Sequence, residues 1–163
     1  MTTTVTIVSP GAMGGALGRG YREGGARVLT CVTGRSPRTR ALAHGLELTD
    51  TLDDAVAAAD VVLSIVPPGQ ALAAAAAIRA AATATGSRPL VADLNAVSPA
   101  TVARVHEVLA AAGLPADLFE GFAATPSGRL TPETATRTPD LETFLRGTDL
   151  RGTDLRGTDP TPA

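Results

Sequence analysis

Thr4-Val5-Thr6-Ile7-Val8-Ser9-Pro10-Gly11-Ala12-Met13-Gly14 is the stretch on which the reading of this chain turns. Thr4 to Ser9, whose first five residues are all β-branched, reads as a strand. Closely spaced glycines then lead into an Ala/Leu-rich segment, Gly14 to Gly24, that reads as a helix. Small residues at such a turn let a ligand approach the backbone. The unpaired N–H groups of the helix's first turn would point at it, and they favour an anion.

Working outward, the pattern repeats. Arg27 to Thr33 reads as a second strand, entered through Gly24-Gly25, which stops the first helix. Arg38 to His44 is a short helix closed by Gly45, Leu46 to Leu48 a brief third strand, and Thr51 caps a helix with Asp53 and Asp54 in its first turn. Asp60 to Val66 is a continuous apolar run, the mark of a central parallel strand covered on both faces. Gln70 to Ala84 is an Ala-rich helix, Pro89 to Asp93 a fifth strand, and Ser98 to Ala112 a helix with Ser98 as cap and Pro99 at its first position. A sixth strand begins at Leu118-Phe119. Alternating strands and helices joined by short links predict an α/β fold, a doubly wound parallel sheet of Rossmann type.

In such sheets ligands bind at the carboxyl ends of the strands, where strand order reverses. The dinucleotide fingerprint G-x-G-x-x-G falls on Ser9, Gly11 and Gly14. Serine replaces the first glycine, and Pro10 sits within the turn. The second and third, which admit the pyrophosphate and let the helix pack, are kept. The second strand ends Thr33-Gly34-Arg35-Ser36-Pro37-Arg38, without the acid that accepts from the ribose hydroxyls of NAD. A guanidinium fork and a hydroxyl donor suit a 2′-phosphate instead, so Arg35, Ser36 and Thr33 or Arg38 predict NADP as cofactor. The same absence of an acid weighs against S-adenosylmethionine. Val66-Pro67-Pro68 is a stiff turn suited to a flat ribose or nicotinamide face, and equally to plain helix entry. Asn95 would hydrogen-bond a substrate or the carboxamide, and Asp93 would bond there or shape the turn.

Composition bounds the rest. The chain has 163 residues, 44% apolar and 2% aromatic, so its core is built from Ala, Val, Leu and Ile. No run of about 18 apolar residues predicts a membrane span, and a net charge of −2 gives no general attraction to nucleic acid or anionic lipid. The single cysteine, Cys31, reads as buried in its strand. It excludes an internal disulfide and fits a cytoplasmic chain without a secretory signal. All 14 basic residues are arginine, which removes every lysine-based mechanism from this chain. His44 and His106 read as structural. No nucleophilic triad or metal-ligand spacing is seen, so no catalytic residue is assigned.

Three stretches together resemble the NADP-binding domain of the 6-phosphogluconate dehydrogenase and β-hydroxyacid dehydrogenase superfamily. They are Ile7 to Gly14, Val62 to Pro68, and Asp93-Leu94-Asn95-Ala96-Val97-Ser98-Pro99. The closer likeness is to its bacterial 6-phosphogluconate-dehydrogenase-like branch, and it covers roughly residues 3 to 120. The resemblance implies hydride transfer with a small hydroxy acid, imine or related substrate held between this domain and a helical second domain. By position it gives Gly11, Ala12, Met13 and Gly14 the pyrophosphate, Arg35 and Ser36 the 2′-phosphate, and Val66 and Pro67 the nicotinamide ribose. Asn95 stands where many relatives place a hydroxyl residue near the substrate.

After the fifth strand the chain departs from that pattern. Relatives continue into a sixth strand, a Gly-rich substrate loop and a long helix bearing the catalytic Lys or its substitute. Residues 1–122 are therefore expected to form the cofactor-binding domain and 123–163 a low-complexity tail. The tail ends in three copies of Leu-Arg-Gly-Thr-Asp from Leu145 and is too polar to offset chain entropy. Its repeats resemble the pentapeptide-repeat family, which implies a β-helix, though twenty residues make only about one coil of a solenoid that needs several. The expectation is a domain truncated or frame-shifted near residue 120. It would bind its dinucleotide, take a small-molecule substrate only if a second domain is supplied, and be inactive alone. A non-catalytic nucleotide-binding or regulatory module is the alternative.

Overall fold

A computed structural model describes residues 2–118; the expected tail and its repeats lie outside the described residues. Six strands alternate with five helices: β1 Thr4–Val8, α1 Ala12–Glu23, β2 Arg27–Cys31, α2 Pro37–Leu42, β3 Glu47–Thr49, α3 Leu52–Ala57, β4 Val61–Ser64, α4 Ala71–Thr85, β5 Leu90–Asp93, α5 Pro99–Ala110 and β6 Ala116–Leu118. The strands form one sheet in the order β3-β2-β1-β4-β5-β6, and every pairing is parallel. This is the Rossmann-type sheet that the alternating sequence predicts. From β1 the chain winds outward to β3 on one side, then crosses to β4 and winds outward to β6 on the other. The order therefore reverses between β1 and β4.

Side-chain alternation splits the core between the two faces. On one face Val5, Ile7, Val28, Val61 and Leu63 pack with Tyr21 of α1 and Leu46. On the other Val8, Val62 and Val91 meet Val56 of α3, Ile78 of α4, and Val105 and Leu109 of α5. Aromatic bulk is scarce, so α4 packs through Ala71, Ala74, Ala75, Ala81 and Ala82, all buried at helical spacing around Ile78. Full burial of Ile78 stabilises the fold by roughly 2–3 kcal/mol. The buried Thr6 and Thr30 hydroxyls donate to the carbonyls of Ala55 (2.7 Å) and Ile7 (2.8 Å), so hydroxyls replace bulk without leaving orphaned polar atoms.

Most boundaries shift by a residue or two from the sequence reading. Strand β6 runs Ala116–Leu118, pairing with β5 from Val91 to Asp93, where the sequence expects it only to begin at Leu118. Three shifts have a clear local reason. Helix α1 begins at Ala12 rather than Gly14, because Gly11 caps it and accepts from Gly15 N at 2.8 Å. Strand β2 stops at Cys31 because Arg35 N turns back to Val32 O (3.0 Å) through Gly34 at φ 72°. Strand β4 stops at Ser64 ahead of Pro67 and Pro68, which have no N–H to continue a ladder and which open a 3-10 turn, Pro68–Gln70.

Candidate functional site

The β1–α1 turn lies beside the point where strand order reverses. Ser9 takes φ 63°, the left-handed conformation, and is the one non-glycine among the described residues to do so. Its carbonyl accepts from Gly11 N at 2.7 Å, which folds the chain back over the strand end. A Cβ on Gly14 would lie 3.0 Å from Ser9 O and 3.1 Å from Ile7 Cγ2, so glycine lets α1 rest on β1. A Cβ on Gly11 would meet nothing within 4 Å, so the space there is open to a ligand. The first-turn amides of Ala12, Met13 and Gly14 have no acceptor within the helix, and the turn carries no acidic side chain to neutralise its dipole. Pro10 is buried beneath the turn, and Met13 stands 44% exposed at its rim.

The end of β2 supplies the second wall. Thr33 Oγ1 donates to Asp50 O at 2.7 Å, and Cys31 Sγ lies 3.6 Å from the same carbonyl. Ser36 caps α2: its Oγ accepts from Thr39 N at 3.2 Å and lies 3.1 Å from Thr39 Oγ1. Arg40 Nε donates to Arg35 O at 3.1 Å and braces the loop from behind. Among the described residues the one ion pair joins Arg27 to Glu47, so the exposed guanidinium groups of Arg35 and Arg38 are not spent on carboxylates. Between this loop and α4 lies a cleft of about 270 Å³, floored by Ile7, Val8 and Ser9, walled by Cys31, Thr33 and Arg35, and closed by Leu52, Val66 and the Gln70, Ala73, Ala74 and Ala77 face.

On the far side of the reversal, β4 and β5 end in three buried polar side chains, Ser64, Asp93 and Asn95. Asn95 Oδ1 accepts from Val66 N at 2.7 Å, its Nδ2 donates to Ser64 Oγ at 3.0 Å, and its backbone N donates to Asp93 Oδ1 at 2.9 Å. Burial raises the Asp93 carboxyl above its ordinary range, and the bonds from Asn95 pull it part of the way back.

An amide-lined glycine turn at the reversal point of a 3-2-1-4-5-6 sheet is the geometry of a dinucleotide site. Residues 4–116 match the family model of the NAD binding domain of 6-phosphogluconate dehydrogenase. The chain belongs to that family. Among solved structures, the conserved protein MTH1747, whose fold resembles 3-hydroxyacid dehydrogenases, is 30% identical to this NAD-binding domain. It superposes with a TM-score of 0.59 over 71% of this chain and 41% of its own. The 3-hydroxyisobutyrate dehydrogenase of Mycobacterium tuberculosis gives 25% identity and a TM-score of 0.59 over 76% of this chain and 44% of its own. An imine reductase from Myxococcus stipitatus in complex with NAD+ shares the fold at 23% identity, TM-score 0.57, over 72% of this chain and 40% of its own. The chain thus spans less than half the length of these relatives. No curated protein sequence matches it.

Of the residues that sequence reasoning assigned to the NAD-binding domain's cofactor, the structure gathers Ser9, Thr33, Arg35 and Val66 around one cleft. Gly11 to Gly14 lie at the adjoining helix start, and Pro67 and Pro68 at the adjoining turn. Two hydroxyls also serve the scaffold. Thr33 Oγ1 donates its proton to Asp50 O, so toward a ligand it accepts, and Ser36 Oγ accepts from Thr39 N as a helix cap, which leaves its own proton to donate. Asn95 faces inward to the scaffold instead of outward to a substrate. Cys31, expected from the sequence to be buried in its strand, is half-buried and lines the cleft. Gln70, Ala73 and Ala77 were missed, although their i, i+3, i+7 spacing after Pro68 puts them on one helix face. His44 and His106 are exposed, at the C-terminal end of α2 and within α5. Among the described residues no helix is long and apolar enough to cross a membrane, and no cluster of His, Cys, Asp or Glu could hold a metal.

Proposed function

We propose that this domain binds NADP(H) and presents its nicotinamide for hydride transfer to or from a small hydroxy acid, imine or related substrate. The observation that carries the cofactor choice is the loop after β2. Among the described residues it offers Arg35 and Arg38 without ion-pair partners, and the sequence places no carboxylate between Cys31 and Arg40. The pyrophosphate would lie on the amides of Ala12, Met13 and Gly14 with Gly11 giving backbone access. The adenosine would occupy the end of the cleft beside Thr33 and Arg35, with its 2′-phosphate held by Arg35, Arg38 and the Ser36 hydroxyl, leaving the Val66 end to the rest of the dinucleotide. The nicotinamide half would cross β1 toward Val66, Pro67 and Pro68.

Bound NADP(H) supplies the hydride. The described residues place no histidine at this edge and the chain contains no lysine, so neither of these residue types within residues 2–118 is assigned the proton that accompanies the hydride. The substrate classes follow from 3-hydroxyisobutyrate dehydrogenase and from MTH1747 with its likeness to 3-hydroxyacid dehydrogenases. Calorimetric titration of the full chain with NADPH and NADH tests the cofactor choice. NADPH should bind more tightly, and Arg35→Ala should weaken it by roughly 1.5–3 kcal/mol, about 10- to 150-fold, with little effect on NADH. Equal affinity for the two cofactors, or an unaffected Arg35→Ala, would overturn it.

A further inference from the structure

We propose that Asn95 is a positioning residue for the nicotinamide end of the cofactor, acting through the Val66–Pro67–Pro68 turn; this rests on the dinucleotide reading above. The backbone ladder between β4 and β5 runs as far as the Ser64–Asp93 register, with Leu94 N donating to Ser64 O at 3.0 Å. Beyond it stand Pro67 and Pro68, neither with an N–H, so Val66 N is the last donor that can tie the turn to the sheet. That donor goes to a side chain, Asn95 Oδ1, at 2.7 Å. The other end of the same amide donates to Ser64 Oγ at 3.0 Å, and the Asn95 backbone is itself fixed by Asp93 Oδ1 at 2.9 Å and by Val97 N at 3.0 Å. Only a side chain with an acceptor and a donor on one planar head makes both contacts. The amide therefore continues the sheet past the point where proline stops the backbone.

Its position decides what it serves. Asn95 is 4% exposed and Ser64 2%, so the clamp lies under the turn and does not itself face the cleft, whereas Val66 does. The turn stands on the β4 side of the reversal, and Arg35 stands on the β2 side. Loosening the clamp should therefore disturb one half of a bound dinucleotide and spare the other.

The test compares NADP+ with adenosine 2′,5′-bisphosphate, which carries the 2′-phosphate but no nicotinamide half, by calorimetry on the full chain. In Asn95→Ala, NADP+ should bind about tenfold or more weakly while the bisphosphate stays within about twofold of wild type. Ser64→Ala, which removes only the partner of Nδ2, should show the same split to a smaller degree and serves if Asn95→Ala does not fold. Equal losses for both ligands would reduce Asn95 to a general structural role, and no loss for either would remove the assignment. Failure of the wild type to bind either ligand would remove the dinucleotide reading, and this assignment with it.

Discussion

Gly15 of α1 meets Leu42, the last residue of α2, so closely that a Cβ on Gly15 would lie 2.6 Å from the Leu42 carbonyl oxygen. Arg19 Nη1, one helical turn on, donates to the same carbonyl at 3.4 Å. The contact seats α2, and α2 in turn carries the loop that ends in Arg35 and Ser36. Gly15→Ala puts a methyl against backbone that cannot rotate aside. Alanine's helix propensity returns about 1 kcal/mol, and overpacking costs typically 1–3 kcal/mol. Urea denaturation should find the variant destabilised or at best level, with weakened NADPH binding. A stabilised variant with unchanged binding would show that α2 slides freely on α1.

Gly11→Ala should behave in the opposite way. Gly11 has φ −68°, which alanine adopts without strain, and its Cβ would meet nothing within 4 Å. Stability should fall by no more than about 1 kcal/mol, the cost of a poorer N-cap. The methyl would instead occupy the approach to the helix-start amides, so both NADPH and NADH should lose affinity by about tenfold or more. Thermal unfolding and calorimetry on one preparation check both halves. A stable variant with wild-type affinity would move the pyrophosphate away from Gly11.

The fold was legible because its signals are local: β-branched runs for β1 and β4, glycines at turns, and proline after Ser98. The site was legible only where a residue's role depends on its own neighbours. Ser36-Pro37-Arg38-Thr39 and Ser98-Pro99-Ala100-Thr101 share a Ser-Pro-x-Thr pattern and make the same cap, with Thr39 N to Ser36 Oγ at 3.2 Å and Thr101 N to Ser98 Oγ at 3.3 Å. The sequence alone marks the second as a cap, while the arginines that flank the first point it toward a phosphate and mask its capping role. Asn95 was beyond reach of such reading. Its partners Ser64 and Val66 lie 31 and 29 residues away, and only the parallel pairing of β4 with β5 brings them together.

Asp93 gives a pH signature. Burial raises its carboxyl above the ordinary 3.8, so the folded chain holds this proton more tightly than the unfolded chain. As pH rises from 3.8 through the folded value, the unfolded state ionises first and stability falls; above the folded value the deficit is complete. Asp93→Asn keeps an oxygen for Asn95 N–H and removes the buried charge. The variant should be more stable than the parent at neutral pH, and the two should converge in acid below the unfolded value. Chemical denaturation across that range checks it. A variant less stable than the parent at neutral pH would mean that the carboxylate charge is itself used, most directly by the Asn95 amide.

Tyr21 marks the alkaline limit of the fold. It is 5% exposed in the core between α1 and the sheet, and desolvation pushes its hydroxyl from 10.0 up to about 12. The folded chain therefore keeps this proton after the unfolded chain has begun to lose it. The stability it protects is whole below pH 10 and drains as pH rises toward 12. Because the chain has one tyrosine and no tryptophan, phenolate absorbance reads this group alone. The signal should stay silent through pH 10 and appear near 12 or together with loss of circular dichroism, whichever comes first. Tyr21→Phe should lessen the alkaline loss of stability. A phenolate signal near pH 10 on a chain that is still folded would place Tyr21 in contact with water and open the packing of α1 on β1 and β2 to revision.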